Sequence, residues 1–183
     1  VNLLRKGLEQ LPDGAGRTAE RYELLLNLGI AMAPEDADAA EGYYRQALEL
    51  ALDVRLSLGA RLNLAALLMQ ANQLDEAIQL TTTACQRAPE VALAWYNLGL
   101  MERRRGDLAA SLRAYERSLE LNPDHAESHQ NFAVARLMGG DIDGARASFR
   151  AAIDKLHQQN RAEEAGALQA QVSGIVKLEG SGQ

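Results

Sequence analysis

A single cysteine, Cys85, is all the thiol chemistry the sequence carries, so no disulfide framework can form within the chain. Cys85 lies on the packed stripe of an expected helix, which reads as a buried structural thiol and not a nucleophile. Proline is scarce, at four residues, and β-branched residues are few. A basic excess is missing as well. Nineteen Lys and Arg against 25 Asp and Glu leave a net charge of −6, which argues against a nucleic-acid partner. No apolar run is long enough to span a bilayer, and the opening VNLLRKGLEQ is not a secretory signal. The chain does not begin with Met, so the sequence leaves open whether it is a piece of a longer protein. The compartment is unassigned, with the cytoplasm preferred.

Catalytic and cofactor signatures are equally thin. His125 and His129 stand at i, i+4, as metal ligands on one helix face would, but no Cys, Asp or Glu at zinc spacing completes a site. They are read as surface histidines. Gly139-Gly140 is a turn between helices, since no Gly-x-x-x-x-Gly-Lys follows a strand. The pair Glu163-Glu164 falls in a first helical turn, where negative charge complements the macrodipole, and no acid/base pair is evident. The expectation is no enzyme activity, no catalytic residue, no metal and no cofactor.

What is present is helix-forming sequence. Ala, Leu, Glu, Gln and Arg dominate, and apolar residues reach 47%, enough for a sizeable core. The fold class is all-α. Three segments, 61–90, 95–124 and 129–158, align without a gap, and Asn63, Asn97 and Asn131 recur at 34-residue intervals. A fourth copy lies upstream, with Asn27 preceding Asn63 by 36 residues. Each copy contains two helical patterns joined by Asn72-Gln73, Gly106-Asp107 or Gly140-Asp141, and Pro89 and Pro123 close two of them. Small residues recur at Gly29, Ala65, Gly99 and Ala133 on the first helix. They recur again at Ala40, Ala77, Ser111 and Ala145, and at Ala47, Ala84, Ser118 and Ala152, on the second. Small side chains let helices approach closely while Leu, Tyr and Phe fill the gaps.

The pattern resembles the tetratricopeptide repeat. The third copy carries Trp95-x-x-Leu98-Gly99, then Ser111-x-x-x-Tyr115, then Pro123. The small-x-x-x-aromatic step recurs as Ala40…Tyr44 and Ala145…Phe149 and weakens to Ala77…Thr81. Glu102 stands where an aromatic is usual, and the first and last copies lack the closing proline. The resemblance implies an α-solenoid, a right-handed superhelix of about four helix pairs between terminal capping helices. The expected organisation is an N-terminal helix in 1–17, closed by Pro12-Asp13-Gly14 and matching the second helix of an upstream unit. Repeats follow at about 22–57, 58–91, 92–125 and 126–159 within 18–159, with Thr18 as the N-cap of their first helix. A capping helix and tail occupy 160–183, with Leu168, Val172, Ile175 and Val176 on its apolar stripe and 179–183 frayed.

Four asparagines in register ask for a reason, because Asn is a mediocre helix former. By resemblance, Asn27, Asn63, Asn97 and Asn131 face a concave groove and form an asparagine ladder. A carboxamide donates and accepts, so it can bond a peptide's C=O and N–H together. The alternative is hydrogen bonding between repeats, or inherited repeat consensus. Beside the asparagines stand Leu26, Leu62, Tyr96 and Gln130, and one turn on stand Ile30, Ala66, Leu100 and Val134. Co-chaperones of this family clamp a C-terminal carboxylate with cations. The matching places here hold Leu26, Ile30, Leu93 and Asn97, so no such clamp is expected. Arg103, Arg104 and Arg105 read as a solvated helix end, complementary to the macrodipole, or as a contact for an acidic partner. The expected function is a non-catalytic adaptor or assembly scaffold that binds an extended or helical, partly apolar peptide. The alternatives are the repeat region of a larger enzyme whose catalytic domain lies outside this chain, or a self-associating scaffold. The expected partner is a protein, with no nucleic acid and no membrane insertion; a homo-oligomer is an open outcome.

Overall fold

The computed structural model describes residues 1–11, 18–50 and 54–180, with side chains described for 1–11, 18–50 and 57–173. These residues form ten α-helices and no strand: α1 (Asn2–Gln10), α2 (Thr18–Met32), α3 (Ala37–Leu50), α4 (Val54–Gln70), α5 (Leu74–Arg87), α6 (Ala92–Arg105), α7 (Leu108–Leu121), α8 (Ala126–Met138), α9 (Ile142–Gln158) and α10 (Ala162–Gly180). They divide into two compact units, Val1–Glu90 and Val91–Gln183.

In the first unit α2 pairs with α3 and α4 with α5, while α1 packs on α2. In the second, α6 pairs with α7, α8 with α9, and α10 lies on α9. Within each unit the later pair's first helix also meets the second helix before it, as α4 meets α3 and α8 meets α7. A lone helix pair leaves one apolar side uncovered, and the next pair covers it.

The repeated turn residues have a backbone reason. Asn72, Gly106 and Gly140 have φ of 62°, 95° and 82°, the left-handed region that Gly and Asn enter most easily. Asp107 and Asp141 then cap the following helix, accepting from Ala110 N at 2.9 Å and Gly144 N at 3.0 Å. Asp36 does the same for Ala39 N at 2.9 Å.

The small residues also find their partners. A methyl group at Gly29 would collide with the Tyr44 ring, and one at Gly99 would come within 2.7 Å of the Tyr115 ring. Tyr44 and Tyr115 are buried. Where the first-helix residue grows to Ala65 or Ala133, Thr81 or Phe149 takes the tyrosine's place. Ser111 Oγ donates to the carbonyl of Gly99 at 2.8 Å, which fastens α7 to α6 at this close approach.

Two local expectations change. Thr18 is the first helical residue of α2 and not its cap. His125 is the N-cap residue of α8, with backbone φ −78° and ψ 98°, so it does not share a helix face with His129. Pro12 to Gly14, the side chains of Ile175 and Val176, and the tail side chains lie outside the described residues.

Candidate functional site

The register asparagines sit near the middle of the first helices α2, α4, α6 and α8, and the structure treats them unequally. Asn27 is exposed, while Asn63, Asn97 and Asn131 are half-buried. Among the described residues, Asn27, Asn63 and Asn97 make no side-chain hydrogen bond within the protein. Their donors and acceptors remain available.

Asn131 is already engaged. Its Nδ2 donates to the Tyr96 hydroxyl at 3.2 Å and to the carbonyl of Glu127 at 3.0 Å. Its Oδ1 accepts from Arg103 Nη2 at 3.4 Å. This is hydrogen bonding between successive helix pairs, the alternative reading of the asparagine pattern, realised at one place of four. Tyr96 also meets the His125 ring edge-on at a centroid distance of 4.9 Å. Burial raises the Tyr96 pKa, the Glu127 charge adds to that, and the Arg103 charge opposes it.

The arginine run therefore divides. Arg104 and Arg105 are exposed, and Arg105 Nη2 pairs with Glu102 at 2.6 Å. Arg103 is half-buried and turns toward Tyr96 and Asn131, so it does not belong to a uniformly solvated helix end. Burial pushes the neighbouring Tyr115 hydroxyl up to about 12, and the Arg103 charge opposes the shift. Sequence reasoning missed this placement because a triplet of like charges at a helix end suggests one shared environment. A helix turns about 100° per residue, so neighbouring side chains point to different sides.

The apolar candidates also divide. Ile30 is 48% exposed, and Leu26 is half-buried against the cluster of Tyr22, Leu25, Ala47 and Ala60. Leu62 is only 8% exposed, which corrects its expected place on an open surface: α4 packs it inward. Leu100 and Tyr96 are half-buried against Tyr115 and Phe132, and Val134 is half-buried against the Ala133–Phe149 cluster. Gln130 does not accompany Asn131. It lines a cleft of about 260 Å³ with Glu127, Leu156, Arg161, Glu164 and Leu168, facing the start of α10. Arg161 closes that end with 2.7 Å ion pairs to Glu127 and Glu164.

Asn63 opens on a different cleft, of about 290 Å³, lined by Ala33, Pro34, Tyr44, Asn63, Ala66, Leu67 and Gln70. Two helices of the first unit, α3 and α4, and the turn that follows α2 contribute to it. Neither the cleft nor the role of Ala33 was anticipated from the sequence. The available signal was the residue six places after each asparagine, Ala33 after Asn27 but Arg103 after Asn97.

The residues considered for chemistry are otherwise occupied. Cys85 is buried and its thiol is pushed up to about 12 by burial, which keeps it protonated. His125 Nδ1 contacts Ser128 Oγ at 2.7 Å, and His129 Nε2 contacts the Pro123 carbonyl at 2.9 Å. Among the described residues no group of three His, Cys, Asp or Glu side chains is placed to hold a metal ion. No helix among them is long and apolar enough to cross a membrane.

Known proteins provide the context for this geometry. A family model described as tetratricopeptide repeat matches residues 92–125, and a second of the same description matches 114–147. A TPR repeat-containing protein of Synechococcus elongatus is 33% identical over 161 residues, covering 87% of this chain and 39% of its own length. The photosystem I assembly protein Ycf3 of a Synechococcus species is 38% identical over 76 residues, covering 40% of this chain and 43% of its own. The crystal structure of MamA superposes with a TM-score of 0.71 at 23% identity, covering 86% of this chain and 87% of that one, a likeness of fold. The chain spans between 14% and 43% of the length of the curated relatives it matches.

Proposed function

Because this chain belongs to the tetratricopeptide-repeat proteins, we propose that it is a protein-interaction module, an adaptor or assembly scaffold whose first helices bind a segment of another protein. A relative named for assembly supports the coarse role. The observation that carries the finer one is the state of the asparagines. Three carboxamides in repeat register have no internal partner among the described residues, and apolar side chains flank them at Leu26, Ile30 and Leu100. A carboxamide so placed bonds a peptide backbone in both directions, and the apolar neighbours take its side chains. Asn131 serves instead to hold α8 to α6.

The test is capture of a partner by the full chain, followed by calorimetric titration of wild type and an Asn63→Ala, Asn97→Ala double variant. Each lost bond costs about 0.5–1.5 kcal/mol, so the double variant is expected to bind about tenfold more weakly. Unchanged affinity rejects the asparagines as the binding device. An Asn131→Ala variant supplies the contrast, since its expected loss is in melting temperature and not first in affinity.

A further inference from the structure

The repeats place the same local geometry in both units, and one copy of it is filled by the protein itself. In the second unit the residue six places after Asn97 is Arg103. Its guanidinium donates to Asn131 Oδ1 at 3.4 Å, and the Nδ2 of the same carboxamide donates to the Tyr96 hydroxyl at 3.2 Å. In the first unit the residue six places after Asn27 is Ala33, whose N–H still bonds Gly29 O at 2.9 Å, so it occupies the same helical position. Tyr44 stands where Tyr115 does, each against the glycine of its first helix. Asn63 stands where Asn131 does. With a methyl group in place of a guanidinium, the space is the 290 Å³ cleft.

We propose that this cleft, between the turn after α2 and helices α3 and α4, receives an arginine side chain of a partner peptide, which supplies from outside the group that Arg103 supplies from within. Three features of the cleft support that occupant. Asn63 offers a carboxamide oxygen with no internal donor among the described residues. Tyr44, which lines the cleft, is 2% exposed, and its hydroxyl has no hydrogen-bond partner among the described residues. A guanidinium brings five donors in a planar fork, enough to serve both the Asn63 oxygen and the Tyr44 hydroxyl. Glu35 and Asp36, which follow Pro34, and Asp38 in the first turn of α3 are all exposed and without an ion pair among the described residues. They stand close in sequence to Pro34, which lines the cleft, and their negative charge favours a cationic occupant over a neutral one. A lysine would bring a compact ammonium, which neither stacks on a tyrosine face nor forks between two acceptors.

This inference rests on the reading of the chain as a peptide-binding module, and its test separates the two. The full-length chain, labelled with nitrogen-15, is titrated with N-acetyl-arginine amide while the side-chain amides of Asn63 and Gln70 are followed by NMR. N-acetyl-citrulline amide, neutral and of nearly the same shape, and N-acetyl-lysine amide are the comparators. Saturable shifts are expected with arginine and at least about tenfold weaker response with citrulline, the loss of one charge-assisted bond. Ala33→Arg is expected to fill the cleft and abolish the response. Arg103→Ala is expected to open the equivalent space and add a second set of shifts at Asn131. Asn63→Ala, which favours helix, guards against misfolding of Ala33→Arg, and circular dichroism confirms helicity for each. Equal responses to arginine and citrulline, or a response indifferent to Ala33→Arg in a folded variant, overturn the proposal. Partner peptides that still bind after arginine-to-citrulline exchange overturn it too while leaving the module reading intact. Arginine binding in a chain that captures no peptide upholds the cleft and removes the module.

Discussion

At the residue scale, the close approaches are the most exacting feature. Alanine is the better helix former, so Gly→Ala inside a helix ordinarily gains about 0.5–1 kcal/mol. Gly42 in α3, with nothing within 4 Å of an added methyl group, is expected to show that gain. Gly99 is expected to show the opposite, because the methyl group meets the Tyr115 ring and overpacking costs about 1–3 kcal/mol. Urea denaturation midpoints of the two variants decide between propensity and packing. Glu102 is a second exacting residue. It is 7% exposed, and burial raises its carboxyl pKa above the usual range, with the Arg105 charge opposing the shift. As pH rises the unfolded chain ionises first, so stability falls until the folded-state pKa is passed. In the sequence register Leu68 takes the same place, buried and uncharged. Glu102→Leu is expected to add about 1 kcal/mol or more at neutral pH and to remove that fall, as thermal melts at pH 4 to 8 would show.

At the element scale, α10 is a cover more than an independent helix. Ala165 and Leu168 are buried with Phe149, Ala152, Ile153 and Leu156 of α9, and Val172 packs beside them. Removing 160–183 leaves that face in water, and truncated chains are expected to aggregate or lose cooperative melting. Leu168→Ala is the milder test, with an expected loss of about 2–4 kcal/mol by denaturant titration. If both variants melt as wild type does, the segment is a tail. Serine placement shows how elements are fastened without apolar area. Ser118 Oγ and Ser128 Oγ lie 3.1 Å apart between α7 and α8, both buried, and His125 Nδ1 joins them.

At the scale of the whole molecule, the net charge of −6 suits a basic partner segment better than an acidic one. A groove of carboxamides and apolar side chains without cations would bind with little salt dependence. If arginine enters the cleft beside Glu35, Asp36 and Asp38, binding weakens at high salt instead, because exposed charges are screened. Titrations at low and high salt distinguish the two. Steep salt dependence with an acidic ligand would point to Arg104 and Arg105 on the exposed end of α6.

The helices, the repeat period and the helix-pair architecture were legible in the sequence. They rest on local rules: propensity, the left-handed turn at Asn72, Gly106 and Gly140, the Asp caps, and small residues opposite rings. Each rule needs only the residue and its near neighbours, so a repeating sequence announces it several times. What tertiary structure decided is the use of each position within that scheme. Four asparagines in one register became three available carboxamides and one tie, because Arg103 and Tyr96 reach Asn131. Three consecutive arginines became two exposed charges and one half-buried donor. Leu62 went inward and Gln130 turned to α10. A repeat pattern states that positions are equivalent, but whether a long side chain fills a space depends on what stands six residues away and on the next helix. That information is distributed over three helices, and it exists only once they pack.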